Sequence, residues 1–160
     1  MKQDRFLIGI LIGIAVLIIV ALTVFFSRKD GNLNYVADDT PDGVVQNYVV
    51  ALHKRDFDKA YGYLAELENK PTQEQFHQAF LKHCVDPANA GVEMGKAEIV
   101  GNSASVSLNV IYGQSDPFSS GYRNADYAQL VRQNGAWKIK QMPYSFWAYD
   151  WYQPAPVPVK

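Results

Sequence analysis

The sequence contains a single cysteine, Cys84, and almost no net charge. One cysteine cannot form an intramolecular disulfide, and it excludes metal sites built from several thiolates. Lysine and arginine together number 15, against 16 aspartates and glutamates, and no basic patch follows residue 30. Proteins that bind phosphate backbones need such a patch. We therefore expect neither a disulfide framework nor a nucleic-acid partner.

Residues 6–26 lack any ionisable side chain, and 16 of these 21 residues are Leu, Ile, Val or Phe. A helix of this length spans roughly 31 Å, which matches the hydrocarbon core of a bilayer. A cleaved signal peptide would have a shorter apolar region that ends at a small-x-small site, whereas this segment ends in two phenylalanines. The sequence therefore predicts one transmembrane helix over residues 6–26, after a short tail of residues 1–5, with the lipid bilayer as a partner.

Basic residues lie on both sides of this segment, so the positive-inside rule nearly cancels. They are Lys2, Arg5, Arg28 and Lys29. Because a short N-terminal tail usually stays inside the cell, we expect a single-pass protein of the cell membrane with an extracytoplasmic domain. Gly9 and Gly13 form a G-x-x-x-G pattern that lets two membrane helices approach closely, although glycine is common in such helices. We treat both glycines as candidates for helix packing.

Helical signals follow a polar tether that we place at residues 27–39. Thr40 before Pro41 is typical of an N-cap followed by proline at the first helical position. Asp56 can cap a second helix, and Thr72 begins a capping box for a third. Three helices are therefore predicted. Their apolar positions are Val44, Val45, Tyr48, Val49 and Leu52 in the first, Phe57, Ala60, Tyr61 and Leu64 in the second, and Phe76, Phe80 and Leu81 in the third.

The apolar period changes to two in the second half of the chain. In residues 104–112 the even positions are Ala, Val, Leu, Val and Tyr, and most odd positions are polar, which indicates a strand with one buried face. The pairs Gly101-Asn102 and Asn134-Gly135 are turn signals. Strands are predicted near residues 92–100, 104–112, 127–132 and 136–142. Helices followed by an antiparallel meander indicate an α+β domain with helices on one sheet face.

Three segments of this domain are VVQNYVVALHKRDFDKAYGYL, PTQEQFHQAF and LVRQNGAWKIKQM. They resemble the opening helices, the small third helix and the closing hairpin of nuclear-transport-factor-2-like proteins, the superfamily of SnoaL and ketosteroid-isomerase-like domains. The resemblance covers about residues 41–147. It implies a cystatin-like cone, in which a curved antiparallel sheet wraps around the three helices and leaves a cavity. The domain would span residues 40–152, before a proline-rich tail of residues 153–160.

Enzymes of this superfamily are expected to place a carboxylate or histidine and a tyrosine inside the cone. The inward strand positions that the sequence assigns here carry no carboxylate and no imidazole. They are Ala104, Val106, Leu108, Val110, Tyr112, Trp137 and Ile139. His77 and His83 are six residues apart and do not share a helix face, so they do not form a metal pair. We assign no catalytic residue, metal or cofactor, which favours a protein that is not an enzyme.

Several large side chains would face the predicted cone. They are Tyr48, Leu52, Tyr61, Tyr112 and Trp137. Such residues can line a pocket for a small apolar ligand, or they can simply fill the cone while the tyrosine hydroxyls reach water. We favour filling.

Residues 144–152 hold six aromatics in nine positions. A strand can bury only alternate side chains, so some of these rings would lie against the membrane interface or a partner protein, unless a neighbouring loop covers the strand. The candidate contact residues are Tyr144, Trp147, Tyr149, Trp151 and Tyr152. The sequence favours a membrane-anchored, non-catalytic interaction domain, an accessory or scaffolding subunit of a larger membrane protein complex. The alternative is an extracytoplasmic small-ligand-binding or isomerase-like domain that uses the cone cavity.

Overall fold

The structure is a computed structural model that describes residues 5–27, 34–113 and 121–154. The chain divides into two compact units after residue 33. The first contains helix α1 (Arg5–Ser27). The elements of the second are α2 (Pro41–His53), α3 (Phe57–Gly62), α4 (Gln73–Leu81), β1 (Ala90–Val100), β2 (Ser103–Tyr112), β3 (Tyr122–Gln133) and β4 (Ala136–Gln141), with short 3-10 turns at Pro87–Asn89 and Tyr144–Phe146. Most of the predicted N-terminal tail and proline-rich tail, and residues 28–33 of the predicted tether, lie outside the described residues.

Helix α1 has 23 residues, and every side chain described on it, over residues 8–23, is exposed. Judged on the described part of the chain, no helix is long and apolar enough to cross a membrane. The predicted membrane span covers residues 6–26, which is more than the residues whose side chains are described, and it stays a prediction. The same holds for the packing role of Gly9 and Gly13, beside which a β-carbon would meet nothing within 4 Å.

The three helix starts predicted from the sequence are confirmed. The side chains of Thr40 and Asp56 accept backbone N–H bonds from the first turns of α2 and α3, and Thr72 forms both halves of a capping box with Gln75. One predicted core position is wrong, because Leu81 is 62% exposed. It follows Phe80 by one residue, about 100° around the helix axis, and so lies off the buried face of α4.

The four strands form an antiparallel meander in the order β1-β2-β3-β4, which confirms the predicted α+β class. Both predicted turns join adjacent strands, with φ of +59° at Gly101 and +50° at Asn134. Successive side chains of each strand point to opposite faces of the sheet, and one of these faces packs against α2, which contacts β1, β2 and β4. The buried residues of that face include Ala104, Val106, Leu108, Val110, Ala128, Leu130, Trp137 and Ile139.

The two edges of the sheet differ. The β4 edge is covered by residues 63–65, since Leu64 makes a parallel bridge with Ile139. The Ala65 N–H donates to the Ile139 carbonyl at 2.8 Å, and the Ile139 N–H donates to the Tyr63 carbonyl at 2.8 Å. At the other edge, β1 pairs only with β2 within the described part of the sheet.

The end of the predicted tether lies on α2. Asn47, only 2% exposed, accepts a hydrogen bond from the Val36 N–H and donates one to the Val36 carbonyl, both at 2.8 Å. The Lys59 ammonium lies 3.4 Å from the centre of the Tyr35 ring. A β-carbon at Gly43 would collide with the Ala37 carbonyl oxygen, so only glycine lets this segment approach the helix. The segment around residues 35–37 is therefore part of the folded unit.

Candidate functional site

The space between α2 and the sheet is occupied by packed side chains. Tyr48 is fully buried, and its hydroxyl donates to the Phe146 carbonyl at 2.8 Å. Its ring centre lies 6.5 Å from that of Phe76 and 6.3 Å from that of Trp147. Burial, with a smaller contribution from Tyr152, raises the pKa of Tyr48 well above its usual range. The hydroxyl therefore stays neutral and acts as a structural donor.

The C-terminal aromatic segment supplies much of this core. Trp151 stacks on Phe76 with ring centres 4.9 Å apart, and it meets Trp147 edge to face at 5.0 Å. Tyr152 stacks on Trp147 at 5.7 Å, and its hydroxyl donates to the Ala65 carbonyl at 2.6 Å. A strand was expected here, and that expectation is wrong: residues 144–146 form a 3-10 turn followed by further turns. Turns let consecutive aromatics point inward, which a strand cannot do.

The predicted contact set thus separates into buried and exposed members. Trp147 and Trp151 are each 5% exposed, whereas Tyr144 and Tyr149 are 74% and 80% exposed. Tyr152 is half-buried. Contact with a partner or a membrane interface stays a prediction for this segment, and Tyr144 and Tyr149 are the members whose rings are available for it.

The residues proposed as pocket lining do not converge on one cavity. The Tyr61 hydroxyl donates to the Pro71 carbonyl at 3.0 Å, and the Tyr112 hydroxyl shares a 2.7 Å hydrogen bond with Ser145. Leu52 is 2% exposed and lies in the core. The polar atoms of these tyrosines are therefore held by the protein itself, as expected if such side chains fill the cone.

One cavity of about 350 Å³ lies beside the start of α2 and the end of α3. Its lining residues are Asp38, Val44, Lys59, Gly62, Tyr63, Ala136, Trp137 and Lys138. Burial, and then the nearby Asp38 carboxylate, raises the pKa of Tyr63. The Lys138 ammonium donates to the Gly62 carbonyl. Sequence reasoning found only Trp137 of this set, because the others come from separate segments without a shared motif.

A second, more open groove of about 370 Å³ lies at the far end of the sheet. It includes Leu67, Val100 and Val131 beside Glu98, Gln129 and Lys140. In the described part of the chain, no group of three or more His, Cys, Asp or Glu residues is placed to hold a metal ion. Both hollows are lined by hydrogen-bonding and charged side chains beside apolar ones.

Comparison with known proteins gives only distant similarities. No protein-family model matches the chain, and no curated protein matches it. A SEC-C motif containing protein from Rhodopseudomonas palustris is 9% identical, with a TM-score of 0.46 over 66% of this chain and 79% of that one. A candidate calcium/calmodulin-dependent protein kinase type II association domain from Thiobacillus denitrificans is 10% identical, with a TM-score of 0.47 over 62% and 89%. A candidate NTF2-like transpeptidase from Campylobacter jejuni is 13% identical, with a TM-score of 0.44 over 62% and 96%.

At these TM-scores the likenesses carry no argument about activity or partners. The last of the three is named for the superfamily that residues 41–147 resemble. The class that the structure itself defines is coarser: an α+β domain in which helices pack on one face of a four-stranded antiparallel sheet.

Proposed function

We propose that this chain is a membrane-anchored, non-catalytic interaction domain that serves as an accessory or scaffolding subunit of a larger membrane protein complex. The observation that carries the proposal is the filled interior of the domain. Tyr48, Phe76, Trp147 and Trp151 pack on one another inside the domain, at distances of 4.9–6.5 Å between ring centres. A domain whose interior is occupied by its own side chains interacts through its surface.

The anchor is supported by the composition of residues 6–26. These 21 residues have no charge, and each large apolar residue near mid-span favours insertion by roughly 0.3 to 0.6 kcal/mol. The apolar side chains described on α1, from Ile8 to Leu22, are exposed. A contiguous apolar surface of this kind marks a lipid or protein interaction site. Single-pass insertion in the cell membrane, with the folded domain outside the cytoplasm, follows as part of the proposal.

Exposed tyrosines support a surface role for the domain. Tyr149 is 80% exposed and Tyr144 is 74% exposed, and both belong to a segment whose other aromatics are anchored in the core. Tyrosine is enriched at the energetic centres of protein interfaces because its ring is large and its hydroxyl can hydrogen-bond. The rigid core below would hold these two rings in place for a partner.

Purification from membranes in a mild detergent tests the proposal. We expect the full-length chain to elute with other membrane proteins, and a photo-crosslinking residue at Tyr149 to capture a defined partner. The same residue at Tyr127, which is 48% exposed on the outer sheet face, is the matched control. Elution without any other membrane protein, or equal capture from both positions, would count against an accessory role.

The alternative is a small-ligand-binding or isomerase-like domain. The cavity of about 350 Å³ beside Tyr63 is the feature that favours it. Only Trp137 of the residues predicted to line a cone cavity contributes to this space, and the tyrosine hydroxyls of that set bond elsewhere. Saturable, stoichiometric binding of a small molecule, lost on Tyr63→Phe with Trp137 intact, would replace the interaction role with this one.

A further inference from the structure

The open edge of β1 is exposed on both faces over residues 95–100. A strand that pairs on one side only leaves a row of backbone N–H and carbonyl groups on its other side, where another strand can bind. The opposite edge of the same sheet is covered by residues 63–65 through hydrogen bonds to Ile139. Within the described residues, β1 is thus the place where the sheet can be extended.

The hairpin geometry determines which β1 groups face this edge. The two-residue turn at Gly101 and Asn102 is flanked by the pair Val100 and Ser103, which is the hydrogen-bonded pair in such a turn. Counting back from Val100, every second residue of β1 directs its backbone N–H and carbonyl groups towards β2, and the residues between them direct these groups away from β2. The N–H and carbonyl groups of Ile99 and Ala97 therefore face outward, next to exposed apolar side chains at Ile99 (55%) and Val100 (79%).

The side chains along this edge are complementary to a second copy of themselves. If two β1 strands pair antiparallel about a two-fold axis at Ala97, Lys96 of each copy lies opposite Glu98 of the other. Directly opposed residues share a sheet face, and opposite charges there stabilise the pairing. Neither Lys96 nor Glu98 has an ion-pair partner among the described residues. A lysine on an edge strand normally discourages pairing, and Glu98 offsets this for a strand of the same sequence in this register.

The irregularity in β1 fits the same arrangement. The register shifts between Met94 and Ala97, and the Ser107 hydroxyl fixes the bulge by donating to the Lys96 carbonyl at 2.9 Å. A β-carbon at Gly95 would lie 2.8 Å from the Ser107 carbonyl oxygen. The bulge limits regular pairing to the short stretch around Ala97, which restricts the register in which a second strand can add.

We propose that β1 is a homodimerisation edge, at which two copies of this chain pair their β1 strands antiparallel about a two-fold axis at Ala97. The interface is isologous, so the Lys96–Glu98 contact occurs twice. It joins the four-stranded sheets of the two copies into one eight-stranded sheet. This role differs from recruitment of another membrane protein through Tyr149 and does not require it.

Disulfide crosslinking of the full-length protein in mild detergent tests the axis. In a Cys84→Ser background, Ala97→Cys should give a disulfide-linked dimer, since hydrogen-bonded antiparallel partners have Cα atoms about 5.5 Å apart, within disulfide range. Val100→Cys is the matched control on the same exposed strand. Its two copies would be separated by six residues, about 20 Å, and should not crosslink. Equal crosslinking of both variants, or none at Ala97→Cys, would overturn the proposal.

Charge reversal tests the register independently. Lys96→Glu or Glu98→Lys alone places like charges opposite each other twice, and should weaken the dimer about tenfold or more in sedimentation equilibrium. The double variant Lys96→Glu/Glu98→Lys restores opposite pairs and should recover the dimer, which also shows that the single variants are not merely misfolded. A dimer that persists in the single variants, or fails to recover in the double variant, rules out this edge. A homodimer without other proteins would support the edge while contradicting the accessory role.

Discussion

Asn47 places a buried amide in the described core, and both the oxygen and the nitrogen of that amide hydrogen-bond to the Val36 backbone. The Asn47 amide thereby makes the two hydrogen bonds to the Val36 backbone that a neighbouring strand would otherwise make. Buried polar groups of this kind are stabilising only while every partner is present. Asn47 therefore determines whether the segment before α2 stays attached to the domain.

We expect Asn47→Ala to lower the free energy of unfolding by about 2–3 kcal/mol, because it leaves the Val36 N–H and carbonyl without partners. Urea denaturation measures this change. Asn109→Ala, at an exposed position on the outer face of β2, is the control and should change stability by less than about 0.5 kcal/mol. Equal effects of the two substitutions would show that the Val36 contact is not formed in solution.

His53 makes the stability depend on pH. It lies edge-on to Phe146, with ring centres 6.4 Å apart, and burial lowers its pKa from 6.5, while a hydrogen bond to the Ala90 backbone partly opposes this. The unfolded chain then takes up the proton at a higher pH than the folded chain does. Stability is therefore lost as the pH falls through 6.5 towards the lower pKa of the folded state.

His53→Gln should flatten this part of the pH profile, since the titrating group is removed. Urea unfolding at several pH values between 7.5 and 5 would show a smaller loss of stability than in the unmodified protein. Asn109→Ala, which removes no titrating group from the outer face of β2, is the control and should leave the slope unchanged. An unaltered slope in His53→Gln would mean that burial does not penalise the charged imidazole.

Among the elements, the C-terminal aromatic segment is the one whose role changes most when the structure is known. Trp151 contacts Phe76, Phe80 and Trp147, so the last described turns close the core against α4. This segment both completes the fold and presents an exposed ring at Tyr149. Stability and partner contact should therefore be separable within a few residues.

Substitutions two residues apart can separate these roles. Trp151→Ala should destabilise the domain by about 3–5 kcal/mol, because it removes a large buried ring and leaves a cavity. Tyr149→Ala should change stability by less than about 0.5 kcal/mol, yet reduce co-purification of the partner protein. Thermal unfolding and detergent pull-down measure the two effects. Loss of folding in Tyr149→Ala would show that the Tyr149 ring stabilises the fold and is not reserved for contact with a partner.

The sequence predicted the regular elements well because local chemistry determines them. The caps at Thr40, Asp56 and Thr72 act within one helical turn, and the alternation in residues 104–112 directly reports which face is buried. Leu81 was misassigned because spacing in a short helix does not show where the buried face ends. The candidate interior residues were also predictable as core, although their hydroxyl partners were not.

What escaped prediction depends on contacts between distant parts of the chain. The bonds between Asn47 and Val36 and the cavity beside Tyr63 have no local signature. Nor does the inward packing of consecutive aromatics in residues 144–152, where six rings in nine residues show no period. A strand was the simplest expectation there, and only the tertiary structure shows turns instead. Sequence therefore located the elements, whereas the long-range contacts decide which side chains remain available on the surface.

At the scale of the whole molecule, the chain combines an apolar helix with a separate folded unit. The folded unit buries its own aromatic core. The helix has no core of its own, and the side chains described on it are exposed. Such a helix reaches a low free energy only when something apolar surrounds it. Membrane insertion is therefore the property of the whole chain that most needs measurement.

We expect the full-length protein to remain in the membrane fraction after alkaline carbonate extraction. Ile14→Lys with Leu17→Lys should release it, because each lysine near mid-span costs roughly 2.5–3.5 kcal/mol. Ile8→Lys with Thr23→Lys is the matched control, since lysines near the ends of a span extend their ammonium groups to the interface. The control should stay in the membrane. Extraction of the unmodified protein, or a mature form that lacks the first thirty residues by mass spectrometry, would refute the anchor and leave the surface of the α+β domain as the sole place for interaction.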